Sequence, residues 1–293
     1  MNYKITHSTT YLYSTPVRVC HNLVILSPRE GFAVETHSHR LLIRPTPQVS
    51  ARRRDAFGNV VHSFSIEENH KQLAVTASSR VTVRPRKPPE ADKTPAWEKV
   101  LEAVVDQSDP GWLEATQYRF DSPRVRRNSS FREFAEVSFK PDRPILEGAW
   151  ELTTRLHKHF KYDVKATTVS TTPEESFKLG LGVCQDFAHV QIACLRSLGL
   201  AARYVSGYLR TIPPPGKPRL VGADQSHAWL SLYCGAEVGW VDLDPTNNCY
   251  CGTDHIPIAW GRDYSDVAPI RGVFLGGGDH QLQVSVDVCP LDE

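Results

Sequence analysis

Gly180-Leu181-Gly182-Val183-Cys184-Gln185-Asp186-Phe187-Ala188-His189 sets a cysteine just after two glycines, where an amphipathic helix begins. The helix is predicted from Cys184 to about Leu198 and is stopped by Gly199, which suits the left-handed turn past a helix end. The first N–H groups of a helix have no partner inside it, and their summed dipole favours negative charge. A cysteine sulfur at that point is favoured as the thiolate, the nucleophilic form. The same N–H groups can serve an oxyanion developing on a carbonyl. Cys194, inside the apolar pattern of the helix, is expected in the core.

A thiolate nucleophile needs an imidazole, and the imidazole needs an orienting carboxylate or amide. Ser226-His227-Ala228-Trp229-Leu230-Ser231-Leu232 puts a histidine at the start of a predicted strand, 43 residues beyond Cys184. Asp244 closes the next strand, Trp240-Val241-Asp242-Leu243, 17 residues beyond His227. That step fits two antiparallel strands joined through Cys234-Gly235-Ala236-Glu237, which sets His227 beside Asp244; cross-strand neighbours stand about 5 Å apart. Asp242 shares the strand face of Asp244 by the period of two and is its rival.

Around this centre the chain divides by pattern. Residues 1–85 read as short strands, among them Lys4–Tyr13, Val17–Leu26, Leu41–Arg44, Val60–Ile66, Leu73–Ala77 and Val81–Val83, with a turn at Asp55–Asn59. Such spacing predicts an antiparallel β-sandwich-like domain. Pro85, Pro88 and Pro89 then interrupt any element, and residues 86–140 read as a connector with some helix, Trp97–Val105 in particular. The arginine-rich stretch at Arg124–Arg127 reads as exposed loop. From residue 141 to 293 a helix from Pro144 to Phe160, the helix of Cys184, and strands at Ala202–Leu209, His227–Tyr233, Trp240–Leu243 and Gln281–Val288 predict an α+β domain.

The order Gly182–Ala188, Arg203–Tyr208, His227-Ala228-Trp229 and Asp244-Pro245-Thr246 resembles the transglutaminase-like superfamily, specifically its bacterial branch, whose members carry an N-terminal β domain. The likeness extends through the tail Gly261–Pro269. It implies a papain-like catalytic core in which Cys184 is the nucleophile, His227 the base and Asp244, directly before Pro-Thr, the orienting acid. Phe160-Lys161-Tyr162-Asp163 also fits; by resemblance the Tyr162 hydroxyl reaches the oxyanion position, the alternative being packing at a helix end. Gln185 and Trp229 are further candidates for the oxyanion or substrate site. Asp186 is expected to serve the first helical turn rather than the chemistry. The implied activity is acyl transfer at peptide, isopeptide or glutamine carboxamide bonds through a thioester. Water as second nucleophile makes a peptidase or amidase; an amine makes a transglutaminase. The partner is then a peptide or protein substrate. No cofactor is implied, and the acidic calcium loops of animal transglutaminases are not visible.

Composition narrows the alternatives. The 293 residues carry a formal charge of +1, against nucleic-acid binding as the main role. Residues 1–140 hold 21 Lys/Arg and 15 Asp/Glu, net +6; the remainder is net −5. No apolar stretch is long enough for a membrane span and no secretory h-region opens the chain, so the expected location is the cytoplasm. Seven scattered cysteines do not suggest a disulfide framework. Cys249-Tyr250-Cys251 with His255 hints at a metal, but the spacing is not that of common zinc sites and none is expected. Gly276-Gly277-Gly278 lacks the context of a phosphate loop. His7, His37 and His39 read as surface or strand residues, and Pro213-Pro214-Pro215-Gly216 as a loop tip. The other class open to this sequence is a binding module that keeps the fold without turnover; the intact cysteine, histidine and aspartate count against it.

Overall fold

The structure, a computed structural model, describes residues 1–31, 33–211 and 224–291. The proline tract at 213–216 lies outside them. Strands β1 (Asn2–Val24), β2 (Val34–Arg44), β3 (Val49–Arg54), β4 (Val60–Ile66) and β5 (His70–Val83) open the chain. β5 pairs with the first half of β1, from Asn2↔Thr82 to Leu12↔Gln72, and β4 with its second half, from Cys20↔Ile66 to Val24↔His62. β2 and β3 repeat this one place further out, against β5 and β4. The ladders are therefore interrupted along one line: at Ser14–Pro16, where β1 runs on but its register with β5 shifts, and at the links Pro45–Pro47 and Glu67–Asn69 between strands. Proline cannot donate to a ladder, so the sheet creases there. Leu73, Val75 and Ala77 fold over onto Phe64, Ile66, Val17 and Cys20. The expected sandwich is one antiparallel sheet doubled on itself. β3, Val-Ser-Ala-Arg-Arg-Arg, is exposed along its whole length; an arginine-rich edge resists pairing with other chains and shows no apolar alternation to read.

The helical part comprises α1 (Trp97–Val105), α2 (Trp112–Thr116), α3 (Ser129–Glu136), α4 (Ile145–His159), the short β6 (Lys161–Tyr162), α5 (Pro173–Leu179), β7 (Leu181–Gly182) and α6 (Cys184–Ser197). It packs on an antiparallel sheet made of β8 (Ala202–Leu209), β9 (Gln225–Tyr233), β10 (Trp240–Asp244), β11 (Cys249–Tyr250) and β12 (His255–Gly261), in the order β11-β10-β9-β8-β12. The chain closes with α7 (Tyr264–Val267), β13 (Ile270–Gly276) and β14 (His280–Pro290). Among the described residues no helix is long and apolar enough to cross a membrane.

Three expectations change. Residues 86–140 are more than a connector: Val100, Val104, Ala115, Tyr118, Phe131 and Ala135 lie in the same core as α4 and α6. α1 has the bounds read from the sequence, whereas α2 and α3 are too short for an apolar period to stand out. Of the stretch expected as exposed loop, Arg126 and Arg127 are exposed in irregular chain, but Arg124 is half-buried and Val125 lies fully buried in the core. The tail does not stay with the α+β core; β13 and β14 run along the free edge of β1, from Val24↔Ile270 to Tyr3↔Pro290. Strand pairing across 246 to 287 residues leaves no local mark. Finally, α6 is not amphipathic, since Gln185 through Arg196 are all buried. It is the central helix, between β8 and β9 on one side and α3, α4 and α5 on the other. Its polar side chains take buried partners instead: Gln191 donates to the Thr153 hydroxyl at 2.7 Å, and His189 accepts the Tyr264 N–H at 3.2 Å.

The two parts share a seam. Tyr3, Ile5, Val286 and Val288 pack against Tyr208, Ile256 and Ile258. Asn59 accepts the Trp260 N–H at 3.0 Å and donates to the Trp260 carbonyl at 2.9 Å, while the Arg29 guanidinium stacks on the Trp260 ring at 3.3 Å. This seam holds β1 and β14 over the start of α6.

Candidate active site

Cys184 is the first residue of α6, half-buried, with Val183 in extended conformation before it. The Asp186 carboxylate turns back to accept the Val183 N–H at 2.8 Å and the Thr167 hydroxyl at 2.7 Å. This closes the first turn and leaves the N–H groups around the sulfur free of that carboxylate. Burial is the largest influence on Asp186 and pushes its carboxyl up. Gly182 is required by the same contact, because a Cβ there would stand 2.6 Å from Asp186 Oδ2. Asp186 thus serves the helix start, as the sequence suggests.

His227 stands on β9 opposite Gly207 of β8. Its Nε2–H donates to Asp244 Oδ2 at 2.7 Å, so Nδ1 is the nitrogen left for Cys184, whose side chain also acts on the ring by hydrogen bonding and charge. Burial alone would lower the pKa of His227, but Asp244 and Cys184 outweigh it and hold the imidazole at about 10. Asp244 is fully buried at the end of β10. Burial opposes its charge, yet its donors hold the carboxyl well below the usual carboxylate range. Oδ2 also receives His255 Nε2–H at 3.0 Å and Asn247 Nδ2–H at 2.7 Å, and Oδ1 receives the N–H groups of Thr246 and Asn247 at 2.9 and 3.1 Å. His255 Nδ1 accepts the Gly252 N–H at 3.3 Å, which sets its proton on Nε2, facing Asp244.

The structure therefore brings Cys184, His227 and Asp244 together. Asp242 stands apart, lining a separate cavity with Arg203 and Trp260. Gln185 lines the cleft next to Cys184, its side-chain N–H directed at the Val169 carbonyl at 3.4 Å. Tyr162 comes beside Cys184 because β6 pairs in parallel with β7, Tyr162 against Gly182; burial first, then the charge of Cys184, pushes its hydroxyl pKa up. Trp229 is not in the cleft. It is fully buried, with its ring edge-on to His255 at 5.3 Å and 6.1 Å from the His227 ring, so it lies behind the two histidines. Its indole lies across Gly207, where a Cβ would approach the ring to 2.4 Å.

His255 and Asn247 also belong to the site, beyond the residues that the motifs mark. Asn247, three residues beyond Asp244, has the spacing of a turn in which an aspartate caps following N–H groups, the one local signal it carries. His255 arrives on β12 through the sheet register alone. His227, Asp244 and His255 also form a group whose ligand atoms all lie within 4.8 Å, close enough to hold a metal ion. Their mutual distances of 2.7 and 3.0 Å are hydrogen-bond lengths, and a metal would take the Nε2 that ties His227 to its carboxylate. Cys249 and Cys251 are not in that group.

A half-buried sulfur at a helix start, faced by a strand histidine with a buried carboxylate behind it, on a helix packed against an antiparallel sheet, is the arrangement of a transglutaminase-like core. The chain belongs to the transglutaminase-like superfamily: that family matches residues 132–245, and the bacterial transglutaminase-like N-terminal region matches residues 3–82. An uncharacterized protein of Mycobacterium tuberculosis is 40% identical over 297 residues, covering 99% of this chain and 93% of that protein. One from Mycobacterium leprae is 32% identical over 292 residues, covering 98% of each. Among solved structures, a candidate cysteine protease from Cytophaga hutchinsonii superposes with a TM-score of 0.76 at 20% identity, over 100% of this chain and 91% of that one. The fold is thereby shared through both parts of the chain.

A pH dependence follows from His227. Its folded-state pKa of about 10 lies above the ordinary 6.5, so the stabilisation from its charged form is complete below pH 6.5 and fades as pH rises through 10. The imidazole resonances of His227 should titrate near pH 10 by NMR, and wild type should lose its thermal-stability advantage over His227→Gln across that window. Titration near 6.5 would show that Asp244 and Cys184 do not hold the proton.

Proposed function

We propose that the protein is a cysteine-dependent acyl-transfer enzyme acting on amide bonds. The observation that carries this reading is the His227 ring held between Asp244, at 2.7 Å from Nε2, and Cys184. The Cys184 thiolate attacks the carbonyl carbon, and the oxyanion meets the N–H groups at the start of α6. The tetrahedral centre collapses with cleavage of the C–N bond, the leaving amine takes a proton from the His227 imidazolium, and a thioester remains on Cys184. His227, now neutral, takes a proton from water or an incoming amine as it attacks; the C–S bond breaks and the thiolate returns. Asp244 holds the ring with Nδ1 toward the sulfur throughout. The Tyr162 hydroxyl, beside Cys184, is a second donor for the oxyanion. Cys184 is half-buried, so water reaches the thioester and hydrolysis is the favoured outcome.

The reading is tested by incubating the full-length protein with glutamine-containing and other peptides, with and without a primary amine, and weighing enzyme and products. An acyl adduct on Cys184 is expected, released as free acid without amine; amide formed with the added amine would assign transamidation. No adduct and no product with any peptide would overturn it.

A further inference from the structure

The Cys184 sulfur does not face solvent alone. The cleft of about 360 Å³ around Cys184 and His227 has its opposite wall in the β domain. β1 and β14 pair with Tyr11 against Leu282, Thr9 against Val284 and His7 against Val286. Residues paired directly and two apart share one face of a sheet. Along that face the surroundings change. Val286 is 2% exposed, sealed into the seam between the two parts, whereas Val284 is 53% and Leu282 54% exposed. The seam thus stops where the face passes over Cys184, leaving two large aliphatic side chains uncovered inside the cleft, with Tyr11 and Ile270 next to them.

The polar groups of the wall are already engaged or uncharged. His7 is buried, with Nδ1 at 2.9 Å from the Tyr208 hydroxyl and Nε2 at 3.0 Å from the Thr9 hydroxyl. Burial pushes its pKa down to about 4, so it is neutral at working pH. Among the described residues no Lys, Arg, Asp or Glu lines the cleft.

We infer that the N-terminal β domain forms half of the substrate site, and that Leu282, Val284 and Tyr11 select acyl donors with an apolar side chain next to the reacting carbonyl. This deepens the proposed function and rests on Cys184 being the nucleophile. It gives the β domain a direct role in recognition, because its last strand, returned from the far end of the chain, supplies the pocket. Removing an aliphatic contact of this kind changes selectivity by roughly tenfold.

The test uses the full-length protein and peptidyl vinyl sulfones that differ only in the side chain beside the warhead: Leu, Ser or Asp. Each adds to the sulfur without a leaving group, and the rate of adduct formation on Cys184 is divided by its rate with iodoacetamide, a probe too small to need the wall. In wild type the Leu probe should react about tenfold faster than the Ser and Asp probes. The ratio should fall to within about twofold in Leu282→Ser/Val284→Ser and persist in Val273→Ser, on the same sheet but outside the cleft. Leu282→Lys, at an exposed position where folding is not at stake, should favour the Asp probe. Equal rates in wild type, or a preference indifferent to both sets of variants, would overturn the inference while leaving the nucleophile intact. Failure of iodoacetamide to single out Cys184 would instead bring down the thiol-enzyme reading and this inference with it.

Discussion

Replacing His227 with Ala should lower acyl transfer by about 10⁴-fold and reduce alkylation of Cys184 to the rate of an ordinary surface thiol. In wild type, iodoacetamide near neutral pH should modify Cys184 far faster than the other cysteines. Cys20, Cys194 and Cys234 are buried, and burial pushes their thiols up. Burial likewise pushes Cys249 up to about 11 and Cys251 well above the ordinary thiol range, with the Asp244 carboxylate adding to both. Only Cys184 combines access with an imidazole held charged beside it. Asp244→Ala removes the acceptor shared by His227, His255 and Asn247 and should cost about 10³- to 10⁴-fold, because the ring loses its tautomer and its orientation. Asp242→Asn, two residues away but facing Arg203, should change turnover by less than about threefold. Peptide mapping of the alkylated protein, beside turnover of the variants, checks both. Uniform slow labelling of wild type would mean a transglutaminase-like fold without a working nucleophile.

The second large effect lies at the far end of α6. Arg196 is fully buried, and its guanidinium donates to the carbonyls of Tyr118 (2.9 Å), Phe120 (3.2 Å), Ala202 (2.8 Å) and Arg262 (2.7 Å) and to the Ser122 hydroxyl (3.2 Å). It gathers the loop after α2, the turn into β8 and the end of β12 around one helix terminus. Burial pulls its pKa down to about 10, with the Asp263 charge opposing, so it stays charged at neutral pH. Arg196→Met should cost about 3–5 kcal/mol, since buried acceptors would lose their donors together. That corresponds to a fall in Tm of roughly 10 °C. Arg196→Lys should recover little, because a single ammonium cannot span the fork. Thermal and denaturant unfolding measure the difference; a loss below about 1 kcal/mol would show that those carbonyls find other partners.

Much of the site is legible because its signals are local. A cysteine behind Gly-x-Gly at a helix start, a histidine opening a strand and an aspartate before Pro-Thr each mark an element and a position on it. The 17-residue step between His227 and Asp244 fits two strands of one hairpin, although the register pairs Leu243 with Leu230, so Asp244 meets His227 on the diagonal rather than directly opposite. Pro144 and Gly199 bound their helices for the same reason, since backbone restrictions of proline and glycine act within a few residues. His255 escapes such reading. Its neighbours Cys249 and Cys251 suggest a metal, and nothing within ten residues says that β12 will carry it across the sheet to Asp244. Trp229 shows the converse: its proximity to His227 is clear, but the direction of its ring depends on Gly207 in another strand.

Motif, period and turn chemistry along short stretches were enough to mark Cys184 and His227 as candidates and to place an α+β core after a β domain, whereas the choice of Asp244 over Asp242 came from the family resemblance. Three features needed the folded chain: α1 to α3 join the core, α6 is buried on every side, and β13 and β14 return to the first strand to wall the cleft. Each of those depends on which surfaces meet across long separations, where the free energy comes from area removed from water and not from any local pattern.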